Sequence, residues 1–470
     1  SGFRNKRLNA NGIASAAANT GGCFLMSVAE LVGTFRNGVH PHENKEQTEH
    51  FPIARMAFGK VFTLPLSQHL GAPSKPIVQV GQTVFRGQLL AKAGGYVSAN
   101  LHSPVDGKVI AIGPCRHPRG DLATCIELEA DPFSTQSINA SPQVDPMKMS
   151  TDDFVTSIQD SGLVGLGGAA FPTHVKYKLP EGKTCEHLAI NGCECEPYLT
   201  CDHRTMIERP EAVIRGITIA AKVLGAKKTS IGIEKNKPDA IAAMQDATNN
   251  LEDIEIYPLK VKYPQGAEKM LIKAIYGIEV PAGKLPLDVG VVVNNVATMT
   301  QFADWFDEGL PLIERVVTVA GTAIARPANL IIPVGTSVRE VLEFCGLDMN
   351  TQQVIMGGPM MGMPLSSLDV PVLKGTSGLL AFTEAPKGHQ DTLACISCGQ
   401  CLEACGYFLN PARLAKLAQA RRWDELDDFY VNDCMECGAC SWVCPSSIPI
   451  VQLIRTGKGA LRELKATQEA

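Results

Sequence analysis

HLAING (His187–Gly192), KTSIGI (Lys228–Ile233), IEIYPLKV (Ile254–Val261) and VGVVVNN (Val289–Asn295) are short, strand-like apolar runs within one continuous stretch of the chain. Between them stand AVIRGITIAAKVLGA (Ala212–Ala226), PDAIAAMQDATNN (Pro238–Asn250) and AEKMLIKAI (Ala267–Ile275), which read as helices. Such alternation predicts an α/β domain with a largely parallel sheet, because parallel neighbours need a crossover and a helix supplies one. The domain is expected over residues 150–312 and sets the fold class of the whole as multidomain α/β.

Working outward, 470 residues are roughly two to three times the usual single domain, so several cores in series are expected. An apolar fraction of 45%, a charged fraction of 19% and a net charge of −5 are ordinary for a globular protein. Nucleic acid is excluded as a partner, since phosphate contacts need a basic excess. No run approaches the roughly 18 consecutive apolar residues of a membrane span. Residues 1–54 begin with Arg4, Lys6 and Arg7 but lack a clean apolar core and cleavage site, and read as a non-cleaved, irregular arm.

Upstream of the α/β stretch, VQVGQTVFRGQLLA (Val78–Ala91) and SPVDGKVIAIG (Ser103–Gly113) alternate apolar runs with turn residues, the pattern of a small β barrel or sandwich over 55–135. The piece resembles the lipoyl and biotinyl carrier scaffold. Its hairpin tip, near Val97 in GGYVSAN, lacks the carrier lysine, so a scaffold role is expected. Downstream, VVTVAG, ANLIIPVG and QVIMGGPMMG read as strands around the helix of SVREVLEFCGL, a β-grasp unit of the soluble ligand-binding type over 315–385. Short helical segments fill 386–470.

Sixteen cysteines are present, eight of them in CISCGQCLEAC (Cys395–Cys405) and CMECGACSWVC (Cys434–Cys444). Crowding of this kind in a large chain fits a reducing setting and metal ligation better than disulfides. The other eight, Cys23, Cys115, Cys125, Cys185, Cys193, Cys195, Cys201 and Cys345, read as small apolar fillers. Three thiolates at two-residue gaps cap three corners of a cubane, and the fourth corner needs a distant thiolate. In two-cluster ferredoxin-type domains the fourth cysteine of each run serves the other cluster. The predicted sets are therefore Cys395, Cys398, Cys401 and Cys444 for one [4Fe–4S] cluster, and Cys434, Cys437, Cys440 and Cys405 for the other. Pro445 follows the second run as the pattern expects, and Gly406 replaces proline in the first. Structural zinc, the competing reading, leaves the third close thiolate without a purpose.

GLVGLGGAAFPTHVK (Gly162–Lys176) packs glycines around a turn that lets backbone N–H groups approach a phosphate, with Lys176 adding charge; a purely structural turn is the alternative. INGCECEPYLTCDHR (Ile190–Arg204) follows a strand with Glu194, Glu196, Asp202 and Arg204, which either bind ribose hydroxyls and a nicotinamide amide or form a solvated turn. YPQGAEK (Tyr263–Lys269) and VVNNVATMT (Val292–Thr300) put small and amide-bearing residues at strand ends, where ligands collect in open α/β sheets.

Taken in order, these motifs and the two cysteine runs resemble the RnfC family, a component of the Rnf complexes, which are ion-translocating NADH:ferredoxin oxidoreductases. The likeness runs from GVHPHENK (Gly38–Lys45) to about Ile454, and the central part is also similar to the NADH-oxidising subunit of respiratory complex I. The resemblance implies non-covalent FMN with NADH stacked beside it. Gly165, Gly167, Gly168 and Lys176 would face the phosphate and ribityl region, with Asn191, Asn294 and Asn295 at the flavin. Glu194, Glu196 and Tyr263 would lie near the isoalloxazine and nicotinamide, and Gly266 and Glu268 along the groove. It further implies two-electron transfer from NADH to FMN, then single electrons through two [4Fe–4S] clusters to partner subunits, above all an iron–sulfur subunit, and indirectly to ferredoxin or flavodoxin. The chain would sit peripherally on the cytoplasmic side of the inner membrane. Leu166 stands where complex I relatives have arginine, and Ala297 replaces an acidic residue of VNNVxT. Both departures favour the alternative of a flavin-less iron–sulfur relay. A free-standing diaphorase is the third reading.

Overall fold

The structure, a computed structural model, describes residues 33–138, 145–384 and 391–469. Most of the expected N-terminal arm lies outside the described residues.

The four runs that decide the fold form one wholly parallel sheet, in the order Ile254–Leu259, Lys228–Glu234, His187–Gly192, Val291–Asn295. The three strands Lys228–Glu234, His187–Gly192 and Val291–Asn295 are buried nearly throughout, as a sheet covered on both faces requires, whereas the edge strand Ile254–Leu259 is only partly buried. Helices Pro210–Leu224, Pro238–Thr248 and Glu268–Tyr276 are the predicted crossovers. Thr151–Asp160, Cys201–Glu208 and Val296–Glu308 are three helices that the pattern reading did not place. The last starts where the sheet ends, because the Asn295 side chain accepts from the amides of Ala297 and Thr298 and so caps it. Strand order reverses between His187–Gly192 and Val291–Asn295, so a crevice opens beyond their carboxyl ends.

The module expected to be a small barrel or sandwich consists of two small antiparallel sheets, one of four strands and one of three. Phe62, Leu64, Val84, Leu90, Val109, Ile126 and Leu128 fill it. One correction concerns Cys115 and Cys125, read as apolar fillers. They are disulfide-bonded across the paired strands Gly107–Arg116 and Leu122–Ala130, with Cα atoms 5.9 Å apart, a proximity set by strand register.

The third module is a mixed six-stranded sheet around helix Val338–Phe344. Its edge strand is Ala54–Arg55, contributed from before the barrel and paired parallel to Ala328–Pro333. The described part of the expected arm is thus no irregular tail. Phe35 and Val39 are buried, Val39 bridges Tyr263, and Thr48 bonds Thr200 at 2.7 Å. Residues 33–56 form a strap across several modules.

In the C-terminal module helix Ile450–Glu469 packs on Pro411–Gln419 over a core of Leu414, Leu417, Leu426, Val431 and Ile454. The two cysteine runs adopt one shape twice. Ser397 and Glu436 have φ of 56° and 61°, Gly399 and Gly438 have 81° and 80°, and a four-residue helix follows in each run. Proline is replaced at Gly406 because a Cβ there would stand 3.0 Å from the Met270 sulfur and 3.2 Å from the Phe35 ring.

Candidate functional site

The crevice at the reversal of strand order gathers the motifs. Gly167 lies over the end of the strand Val291–Asn295: a Cβ there would be 3.4 Å from Cβ of Asn295. One at Gly168, whose φ is +105°, would meet nothing within 4 Å. The loop is therefore closed against the sheet and open, without side chains, toward the crevice, a cradle that fits a phosphate-bearing ligand. Lys176 at its far end donates to the Val293 carbonyl at 2.9 Å and pairs with Glu268 at 2.8 Å.

The neighbouring strand end is tied to the YPQGAEK loop. Asn191 donates to the Gly266 carbonyl at 2.8 Å and accepts from the Cys193 amide at 3.1 Å. Gly266 in turn donates to the Cys195 sulfur at 3.3 Å. Asn294 donates to the Tyr177 hydroxyl at 2.9 Å. Asn295, besides capping its helix, donates to Asp202 at 2.6 Å.

Both motif glutamates are engaged by backbone amides. Glu194 accepts from Asp202 at 2.8 Å and His203 at 3.0 Å, which caps helix Cys201–Glu208 at the end where the helix dipole favours a carboxylate. Glu196 accepts from Met360 at 3.0 Å and Met361 at 2.8 Å in the GGPMMG loop of the third module. That loop approaches so closely that a Cβ at Gly358 would fall 2.2 Å from the Glu196 carboxylate. Burial pushes the Glu196 carboxyl up to about 7 against the pull of those two amides. Asp202 is raised to about 7 by burial and by the Glu194 charge.

Four further residues shape the crevice from a distance in sequence. Lys45, from the strap, is buried and donates to the carbonyls of Glu194, Glu196 and Leu199, which fixes a loop holding Glu194 and Tyr198 at φ of 46° and 68°. Lys237 donates to the Cys193 carbonyl at 2.7 Å and pairs with Glu234 at 3.3 Å. Arg315, buried in the third module, donates to the Leu166 carbonyl at 3.2 Å and lies within electrostatic reach of Asp202. Thr298 accepts from the Leu166 amide at 3.0 Å. No local pattern reveals Lys237 or Arg315; Lys45 lies within GVHPHENK and Thr298 within VVNNVATMT, but neither residue stands out in its motif.

Seven of the eight cysteines of the two runs divide by their electrostatic contacts. Cys405 lies in the electrostatic reach of Cys434, Cys437 and Cys440, although it follows the other run. Cys401 feels Cys398 and Cys444. Two groups of thiols, each drawn from both runs, match the donor set of a cubane cluster. Cys395 and Cys398 are exposed, whereas Cys440 is 8% exposed. The Tyr263 hydroxyl joins crevice to cysteines, donating to the Cys437 carbonyl at 2.6 Å while standing 3.5 Å from Glu196.

Folding energetics here have a pH signature. Glu196 keeps its proton to about 7 in the folded chain against an ordinary 4.5, so the folded state binds more protons between these values and stability falls as pH rises through that window. Glu196→Gln is expected to flatten that slope. Melting temperatures measured across the window should fall less steeply with pH in the variant than in the wild type, and parallel profiles would mean that another group carries the effect.

Comparison with known proteins agrees with this architecture. Residues 33–132 match the RnfC barrel sandwich hybrid domain, 158–304 the Nuo51 FMN-binding domain, 316–364 the SLBB domain and 391–448 the 4Fe-4S dicluster domain. The chain is 41% identical to the C component of the proton-translocating ferredoxin:NAD(+) oxidoreductase complex of Clostridium ljungdahlii, over 85% of this chain and 88% of that one. It is 42% identical to the counterpart in the Na(+)-translocating complex of Acetobacterium woodii, over 84% and 89%. With the corresponding component of the ion-translocating oxidoreductase complex of Rhodobacter capsulatus the identity is 41% over 92% and 83%. On the motifs, the modules and these relatives together, the chain belongs to the RnfC family of the ion-translocating oxidoreductase complexes.

Proposed function

We propose that the crevice holds FMN beside the NADH it oxidises, and that electrons leave first by the Cys434 group and then by the Cys395 group. The observation that carries this order is the Tyr263 bond to the Cys437 carbonyl, which sets one cysteine group against the crevice while Cys395 and Cys398 face solvent. Flavin supplies hydride acceptance and single-electron release, and the clusters supply one-electron steps.

The chain's own residues bind and orient. The backbone of Gly165, Gly167 and Gly168 receives the phosphate, with Lys176 as its side-chain charge. Asn191, Asn294 and Asn295 pin the strand ends on which the ring system rests. Glu194 and Glu196 fix the loop between them, with Tyr263 beside Glu196, and Gly266 and Glu268 border the groove. Cys395, Cys398, Cys401 and Cys444 hold one cluster, and Cys434, Cys437, Cys440 and Cys405 the other.

Beyond this chain, the electrons go to an iron–sulfur subunit of the same complex and from there to ferredoxin or flavodoxin, at the cytoplasmic face of the membrane. Among the described residues no helix is long and apolar enough to cross a bilayer. Extraction of the purified chain is expected to yield about one FMN and about eight irons, with NADH-dependent reduction of an artificial acceptor. Iron without flavin or activity would establish the relay reading instead.

A further inference from the structure

The loop after Pro371 carries a lysine that the reading above leaves without a task. Lys374 is 1% exposed, and its ammonium donates to the carbonyls of Asn100 in the barrel and Gly162 at the start of the glycine loop, both at 2.7 Å. Its backbone amide donates to Gln68 at 3.0 Å. Gly375 beside it packs under the far side of the same loop: a Cβ there would stand 2.9 Å from Cβ of Ala170 and 3.6 Å from the Gly168 carbonyl. The barrel adds the Leu70 amide, which donates to the Ala170 carbonyl at 3.2 Å. The glycine loop is thus gripped at both ends by modules other than its own.

Among the described residues no carboxylate pairs with this ammonium. The titratable groups that face it come from the barrel: His102, whose buried Nδ1 has no hydrogen-bond partner, and His69. Burial and the Lys374 charge lower both imidazoles, His102 to about 3, so both are neutral near pH 7. A buried cation met only by carbonyl dipoles is poorly compensated. It leaves a positive potential in a low-dielectric region beside Gly162, where the glycine loop begins.

We propose that Lys374 is a positioning residue of the glycine loop whose charge makes the site select a flavin that bears a phosphate over one that does not. The proposal rests on the FMN reading. Its electrostatics are reciprocal: an anion in the cradle stabilises the ammonium, so binding draws a proton onto Lys374 wherever burial has left it partly neutral. Burial alone lowers Lys374 to about 7, which puts that uptake in the neutral range.

The test compares FMN with riboflavin on the full chain, stripped of flavin and titrated by fluorescence quenching. Lys374→Met is expected to weaken FMN by roughly tenfold or more while leaving riboflavin unchanged, and Lys374→Arg to keep most of the preference. In wild type, FMN affinity should fall as pH rises above about 7, opposite to the sense expected from the phosphate's own ionisation near pH 6, with riboflavin flat. Equal losses for both flavins in Lys374→Met would overturn the proposal in favour of a merely structural lysine, as would no loss at all. Should that variant fail to fold, calorimetry of the wild type in buffers of different ionisation enthalpy decides: proton uptake with FMN but not riboflavin supports the proposal, and equal uptake overturns it. Failure of wild type to bind either flavin refutes the FMN reading itself.

Discussion

Cys405→Ala is expected to strip iron from the cluster built on the other cysteine run and to spare the cluster built on its own. The argument is spatial. Cys405 ends CISCGQCLEAC, yet its neighbours in charge are Cys434, Cys437 and Cys440, while Cys401 is paired in the same way with Cys444. Losing one of four thiolates leaves an iron corner open, so the variant should retain about half the iron and one of two electron paramagnetic resonance signals. Because the lost cluster is the one beside Tyr263, delivery to an external one-electron acceptor should fall by orders of magnitude, with FMN still bound. Cys444→Ala should spare the signal that Cys405→Ala removes. The crossing is refuted if each variant instead loses the cluster of its own run and keeps the other.

Gly216→Ala should have the largest effect on stability. Gly216 lies in helix Pro210–Leu224 where it crosses Val296–Glu308, and a Cβ there would fall 1.8 Å from the Met299 carbonyl oxygen and 2.6 Å from its carbon. Alanine in place of glycine within a helix ordinarily stabilises by about 0.5–1 kcal/mol. Here the overlap is with backbone, which cannot swing aside, so the helices must separate and about 3 kcal/mol or more is lost. The second helix is the one that Asn295 caps, so separation also disturbs the floor of the crevice. Thermal denaturation should show a lower first transition with early release of FMN, while the iron of the C-terminal module stays bound. A raised melting temperature would mean that the crossing is looser than the structure shows.

The central sheet was legible because each strand holds a short apolar run and the crossover helices between them have a clear apolar face. Cys201–Glu208 was hidden by its composition: Asp202, His203 and Arg204 look like a polar loop, and only the Glu194 carboxylate accepting amides at its start reveals a helix. Val296–Glu308 was read as a strand end because Asn295 serves as last strand residue and cap at once. The glycine loop, the asparagines and the cysteine runs could be read because their chemistry is concentrated in short motifs. Lys45, Arg315 and Lys374 act on carbonyls more than a hundred residues away, and pattern reading has no purchase on such pairs. The Cys115–Cys125 bond escaped for a similar reason, since it depends on which residues two strands bring opposite one another.

The strap of residues 33–56 has a consequence for the order in which the protein is made. Asn37 donates to the Cys405 carbonyl across 368 positions, Lys45 reaches the Glu194 loop, and Ala54–Arg55 pair with Ala328–Pro333. During synthesis this segment leaves the ribosome long before any of its partners exist. Closing such long loops is slow, and the unpaired edge strand is an aggregation hazard while it waits. The barrel and the parallel sheet are free to form as they emerge, but the strap can be fully seated only after the cysteine module has been translated, so a segment made before all its partners is among the last to find its place.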